Sequence, residues 1–149
     1  MGLEQLYTQI ITEQSRSTHN RRHIEHPTAV LRGVNPSCGD EISLEIRVKD
    51  SRIEDAAFTG NGCAISQASA SMMIDLIKGK TVEEAQALTE LFLGMIKGGI
   101  TDDEQLEALE DAIALKDISH MPARVKCAVL SWHTLDEEMK GAGATDAVN

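Results

Sequence analysis

A chain of 149 residues is the size of one domain, and its 42% apolar content is ordinary for a globular protein. The 24 acidic residues outnumber the 14 basic ones, and only 3% of residues are aromatic, so a nucleic-acid-binding surface is not expected. No apolar run reaches the ~18–20 residues of a membrane span, and the first residues do not form a signal peptide, so we expect a cytoplasmic protein.

The first part of the chain predicts a helix followed by three strands. Apolar residues spaced three and four apart over 3–14 indicate an amphipathic helix. Residues 15–26 are polar and rich in arginine and histidine, and we interpret them as a solvated linker, with a docking segment as the alternative. Apolar and polar residues alternate over 41–49, which predicts a strand with one wet face. Residues 28–34 and 52–59 predict two further strands, and together the three form an antiparallel sheet.

The second part of the chain predicts helices. They cover residues 63–78, 81–97, the stretch after 101, and 122 to about 139, with a frayed tail over 141–149. Capping boxes begin at Thr81 and Thr101, and Pro122 occupies a first helical position. Strands first and helices afterwards predict an α+β fold, in which helices pack on one face of a three-stranded antiparallel sheet. We assign the whole of 1–149 to one domain, with four methionines in its core: Met72, Met73, Met95 and Met121.

The three cysteines each lie at the boundary of a predicted element. Cys38 occupies a turn between two strands, two residues before Asp40; Cys63 opens a helix, and Cys127 lies in the second turn of the last helix. A helix start favours a thiolate, because its unpaired N–H groups carry positive potential. An odd number of cysteines without an export signal indicates a reducing compartment and metal or thiol chemistry. The alternative is that they are small buried hydrophobic residues.

If these side chains converge, they form a set of three thiolates and one carboxylate. Sulfur-rich tetrahedral sites suit zinc or an iron–sulfur cluster. A carboxylate is the hardest donor of such a set and the one expected to leave first, so Asp40 suggests a site that exchanges a ligand. A purely structural zinc would more often have four Cys or His ligands.

Three motifs resemble those of the IscU/NifU N-terminal family, and its SufU branch in particular. They are Asn-Pro-Ser-Cys-Gly-Asp at 35–40, Gly-Asn-Gly-Cys-Ala-Ile-Ser-Gln-Ala-Ser-Ala-Ser at 60–71, and Ala-Arg-Val-Lys-Cys-Ala at 123–128. The resemblance implies a SufE/NifU-like α+β fold. Two features favour the SufU branch: Lys126 stands where the scaffold proteins have a histidine, and residues 94–115 resemble the insertion of SufU-type members.

This resemblance also implies a function and a set of site residues. It implies a zinc-bound sulfurtransferase that accepts persulfide sulfur from a SufS-type cysteine desulfurase and passes it to downstream cluster-assembly proteins. The implied zinc ligands are Cys38, Asp40, Cys63 and Cys127, with Cys38 as the catalytic persulfide carrier. Two alternatives stay open: a scaffold that assembles a transient [2Fe-2S] cluster on the same residues, and a module with a structural zinc.

Two basic residues flank the third cysteine. Arg124 and Lys126 are expected either to stabilise an anionic sulfur or a partner's carboxylate, or to be ordinary charges on a helix surface. His120 and His133 are expected on helix flanks and on the surface, because no partner spacing makes them metal ligands.

Overall fold

A computed structural model describes residues 2–37 and 39–148 of the chain. The elements are α1 (Leu3–Arg16), β1 (Ala29–Asn35), β2 (Asp40–Lys49), β3 (Arg52–Asn61), α2 (Ala64–Ile77), α3 (Val82–Ile96), α4 (Asp103–Leu106), a 3₁₀ segment (Glu107–His120) and α5 (Pro122–Val148). This order confirms the predicted α+β fold with one three-stranded antiparallel sheet. Within the described ranges, no helix combines the length and the apolar character needed to cross a membrane.

The three strands pair in chain order, with β2 in the centre. Leu31 lies opposite Leu44, and Leu44 lies opposite Phe58, so side chains of the same face meet across the sheet. Ile42, Leu44 and Ile46 are all buried, as the alternation over 41–49 predicts. Because consecutive side chains point to opposite faces, this face of β2 forms the floor of the core.

The helices cover that floor. α2 and α5 pack against the sheet and against each other, and α3 closes the core from the far side. The Trp132 ring of α5 stacks on the Phe92 ring of α3, with 4.3 Å between centroids and 11° between planes. Both rings are fully buried, so they fix the position of α5 over the sheet.

Most side chains of residues 15–26 are exposed, as predicted for a solvated linker, but the segment is bonded to β3 and buries two residues, Asn20 and Ile24. Asn20 is fully buried, its carbonyl accepts from the Phe58 amide at 3.0 Å, and the Arg22 amide donates to the Phe58 carbonyl at 3.1 Å. The amide of Ile24 then donates to Glu45 Oε1 at 3.1 Å, which buries a carboxylate on the face of β2 that was expected to be wet. Residues 17–26 thus form a strap along the sheet, and its main-chain groups at Asn20 and Arg22 supply hydrogen-bond partners that the edge of β3 leaves open.

Of the two predicted capping boxes, the structure has the one at Thr81 but not the one at Thr101. Thr81 and Glu84 exchange two hydrogen bonds of 3.0 Å each and begin α3 as predicted. The box predicted at Thr101 is wrong, because Asp102 caps α4 by accepting from the Glu104 amide at 3.1 Å. α4 then ends after one turn, and a left-handed φ of 49° at Glu110 interrupts the 3₁₀ segment that follows.

Two further expectations concern the last helix. Pro122 is its first residue, as predicted, but its backbone is helical to Val148 rather than to about Met139. The structure does not describe the side chains of 141–148, and the frayed tail over 141–149 stays a prediction. Met121 is 50% exposed just before α5, so its assignment to the core is wrong, whereas Met72, Met73 and Met95 are buried.

Candidate metal centre

Three of the four predicted ligands come together where β2, α2 and α5 meet. A carboxylate oxygen of Asp40 and the sulfurs of Cys63 and Cys127 all lie within 4.8 Å of one another. Asp40 is the first residue of β2, Cys63 is the N-cap of α2, and Cys127 lies in the second turn of α5. The remaining predicted residue, Cys38, lies outside the described residues.

These three side chains are sheltered to different degrees. Asp40 is fully buried and Cys127 is 1% exposed, whereas Cys63 is half-buried. Of the two sulfurs, the one at the start of α2 is therefore nearer to solvent. The Cys127 thiol also lies 3.9 Å from the Ala123 carbonyl, one turn earlier in α5.

Glycine at position 62 lets β3 and α2 approach Asp40. A Cβ atom there would lie 2.2 Å from Ser66 Oγ and 2.8 Å from Asp40 Oδ1. Both distances are shorter than side-chain carbons tolerate, so a larger residue would displace the carboxylate or the hydroxyl. The glycine that precedes Cys63 is therefore a packing requirement of the site.

The Asp40 carboxylate accepts hydrogen bonds from three directions. Its Oδ1 accepts from the Cys63 amide at 3.0 Å and from Ser66 Oγ at 3.3 Å, and its Oδ2 accepts from Asn35 Nδ2 at 3.4 Å. The single Ser66 hydroxyl proton is shared between this carboxylate and the Cys63 carbonyl, which lies 3.0 Å from Oγ. These donors orient the carboxylate and compensate for its removal from water.

Sequence reasoning did not assign Asn35 and Ser66 to the site. Both lie inside the motifs that carried the resemblance, five residues before Asp40 and three residues after Cys63. Their polar side chains next to a cysteine motif were the available signal. Only the fold shows that they share one acceptor.

The environment of Cys63 favours its ionised form. Burial raises the pKa of the thiol, but the Ser66 amide, the Cys127 thiol and the Ser66 hydroxyl together outweigh it. The negative charge of Asp40 acts against them, and the net pKa of Cys63 lies below the usual range of a thiol. A thiolate is the form that binds metals, so this position agrees with a ligand role.

The donor set fits a thiophilic metal. Two sulfurs and a carboxylate oxygen suit zinc or iron–sulfur chemistry, whereas calcium and magnesium prefer all-oxygen sites. Across the part of the chain that the structure describes, no second group of three His, Cys, Asp or Glu side chains lies this close together. His120 and His133 are exposed, as expected.

A cleft of about 440 Å³ adjoins the site between β1 and α5. Asn35, which donates to Asp40, lines it together with Lys126 and His133. Arg124 and Lys126 are both exposed on the helix that carries Cys127. The cleft beside the candidate metal centre holds the basic residues Arg32 and Lys126 as well as the acidic Glu137.

Comparison with known proteins gives concordant matches. The model of the NifU-like N-terminal domain family matches residues 6–140. The iron–sulfur cluster assembly scaffold protein IscU of Streptococcus pyogenes is 39% identical, over 93% of this chain and 85% of its own. The zinc-dependent sulfurtransferase SufU of Bacillus subtilis is 41% identical, over 91% of this chain and 90% of its own. The crystal structure of a protein from Fervidobacterium islandicum, described as an iron–sulfur cluster assembly scaffold protein for the SUF system (SufU), superposes with a TM-score of 0.84 at 36% identity, covering 93% of this chain and 99% of that one.

Proposed function

This chain belongs to the NifU-like N-terminal domain family, and from that premise we propose that it is a zinc-dependent sulfur acceptor in iron–sulfur cluster assembly. Its sulfur donor is a SufS-type cysteine desulfurase, and the acceptor is Cys38. Downstream cluster-assembly proteins receive the sulfur. The proposed zinc ligands are Cys38, Asp40, Cys63 and Cys127.

The convergence of Asp40, Cys63 and Cys127 within 4.8 Å is the observation that carries this proposal. Three elements that are far apart in sequence each contribute one donor atom, and a core without a metal has no need for that arrangement. Zinc, when bound, stabilises thiolates against protonation and limits their reactivity. The lowered pKa of Cys63 supports the same role for that residue.

The transfer itself is a thiol–persulfide exchange. The Cys38 thiolate attacks the terminal sulfur of the desulfurase persulfide, the S–S bond of the donor breaks, and the donor cysteine leaves as a thiolate. Cys38 then carries the persulfide, and no outside oxidant or reductant is required. The exposed basic side chains of Arg124 and Lys126 suit the approach of anionic sulfur.

A scaffold that assembles a [2Fe-2S] cluster on the same residues is the second candidate. The IscU relative from Streptococcus pyogenes favours it, because that protein is named a cluster assembly scaffold. The SufU relative from Bacillus subtilis and the lysine at position 126 favour the sulfur acceptor. The two candidates differ in cargo: sulfane sulfur on one cysteine, or iron and sulfide shared among all the ligands.

Mass spectrometry after incubation with a SufS-type desulfurase and cysteine tests the proposal. We expect one additional sulfur atom on Cys38, one zinc per purified chain, and loss of desulfurase stimulation in Cys38→Ala. The neighbouring exposed residue supplies a matched control, since Ser37→Ala should behave like the wild type. Stimulation by Cys38→Ala at the wild-type rate would refute Cys38 as the acceptor. A stable visible spectrum after anaerobic reconstitution with iron and sulfide, without zinc, would favour the scaffold.

A further inference from the structure

A buried serine in the middle of α2, Ser69, bonds to α5, the helix that carries Cys127. We propose that Ser69 is a positioning residue, which sets the separation of Cys63 and Cys127 by bonding to two successive turns of α5. The inference concerns how the site is built, and it rests on the proposed metal-binding function.

The Ser69 hydroxyl donates one hydrogen bond and accepts another. Its Oγ donates to the Ala128 carbonyl at 2.6 Å and accepts from Trp132 Nε1 at 3.1 Å. All three residues are fully buried, so water does not compete for these bonds. A hydroxyl with one proton and a satisfied lone pair has a fixed orientation, unlike an apolar contact.

These bonds join the two helices that carry the cysteines. Ala128 directly follows Cys127, and Ser69 lies six residues after Cys63, about 9 Å along the axis of α2 at the helical rise of ~1.5 Å per residue. Metal–ligand distances tolerate only about ±0.2 Å. The residues on either side of Ser69 are alanines, which have no polar side-chain group, so Ser69 alone in this stretch can form a directed side-chain bond. The directed bonds of Ser69 oppose a slide of one helix along the other.

The far end of this connection is anchored in turn. Trp132, the donor to Ser69, stacks on Phe92 of α3 at 4.3 Å. Its indole N–H therefore projects from a fully buried ring that is stacked on Phe92. Ser69 is thus bonded to a rigid part of the core, and movement of α5 relative to α2 would break a bond at each turn.

The same helix offers a matched control. Ser71 is 1% exposed, but its hydroxyl donates to Gln14 Oε1 of α1 at 2.8 Å and faces away from α5. Ser71→Ala removes the same group from the same helix at a similar depth. Its loss should reduce stability without changing the register of α2 and α5.

Zinc competition with a chromophoric chelator and the visible spectrum of the cobalt-substituted protein test the inference. We expect Ser69→Ala to weaken zinc binding by about 10-fold, the low end of the range for groups bonded directly to metal ligands, because Ser69 acts through the helix backbone, and to alter the cobalt spectrum. Trp132→Phe keeps a ring for stacking and removes only one bond, so a smaller effect in the same direction is expected. Ser71→Ala should retain the wild-type zinc affinity and cobalt spectrum. In urea unfolding, it should lower the free energy of unfolding about as much as Ser69→Ala does. Equal losses of affinity in Ser69→Ala and Ser71→Ala would overturn the inference.

A second measurement does not depend on metal. In the metal-free Cys38→Ala background, mild oxidation should link Cys63 to Cys127, because their sulfurs are within 4.8 Å. Ser69→Ala should slow this cross-link and Ser71→Ala should not. If the wild type binds no zinc, the proposed function fails, while the cross-linking rate still decides the role of Ser69. An unchanged rate in Ser69→Ala would then refute it.

Discussion

Glu138 is an acidic residue that the fold places in the interior of the protein. It lies in α5, its exposed fraction is 4%, and neither carboxylate oxygen has a hydrogen-bond partner among the described residues. Burial raises the pKa of Glu138 to about 9, and the negative charge of Glu45 adds to the rise. The nearby Leu31 backbone lowers the pKa and so offsets only part of this rise. We therefore expect the folded protein to hold a proton on this residue at neutral pH.

The size of the effect on the free energy of unfolding follows from the difference in the pKa of Glu138 between the folded and unfolded states. Below about pH 4.5 both states are protonated, and the free energy of unfolding is independent of this group. Between about 4.5 and about 9, the unfolded chain releases a proton that the folded chain retains, so stability falls as pH rises. One pKa unit corresponds to about 1.4 kcal/mol, so the loss at pH 7 is about 3 kcal/mol.

Glu138→Gln replaces the ionisable group with a neutral one of similar shape. The variant should be more stable than the wild type by up to about 3 kcal/mol at neutral pH, and its advantage should shrink towards zero as the pH falls to about 4.5. Urea unfolding followed by circular dichroism, at several pH values on metal-free protein, measures this difference. Glu137→Gln is the matched control, because Glu137 is the exposed neighbour. A pH-independent difference between Glu138→Gln and the wild type would refute the reasoning.

Three further predictions concern the site and the strap beside it. Gly62→Ala should lower zinc content per chain, because its Cβ would lie 2.2 Å from Ser66 Oγ; metal analysis measures this. Asp40→Ala should impair sulfur acceptance from the desulfurase yet retain more zinc than Cys63→Ala, because the softer thiolates stay. Asn20→Ala should lower the free energy of unfolding by about 1–3 kcal/mol, because it removes the two 2.9 Å hydrogen bonds from Nδ2 to the Ser71 carbonyl and to Asp75 Oδ1; urea unfolding measures this.

Each of these predictions has a control and a contrary outcome. Gly2→Ala places a methyl group in open space and should leave zinc content unchanged; the same result for Gly62→Ala would contradict the packing argument. Zinc loss in Asp40→Ala as complete as in Cys63→Ala would make the aspartate an ordinary structural ligand. Thr18→Ala changes an exposed residue of the same strap and is the control for Asn20→Ala. If both variants lower the free energy of unfolding equally, the buried hydrogen bonds of Asn20 contribute little.

Local patterns in the sequence determined most of the elements and the chemistry of the site. The alternation over 41–49 identifies β2 because a half-buried strand repeats every two residues. The Thr81 capping box and the position of Cys63 before α2 depend only on residues within one helical turn. The cysteine motifs likewise indicated a metal centre before any geometry was available, since residue type limits which metals can bind.

Only the tertiary structure decided which side chains contact one another and which are buried away from water. The sequence does not show that Glu45 is covered by the strap, that Ser69 reaches α5, or that Glu138 is buried with no hydrogen-bond partner for its carboxylate among the described residues. Each of these depends on a residue more than ten positions away, whereas periodicity and capping report on near neighbours. Burial and hydrogen bonding are properties of the packed chain, and packing brings together groups that no local pattern relates.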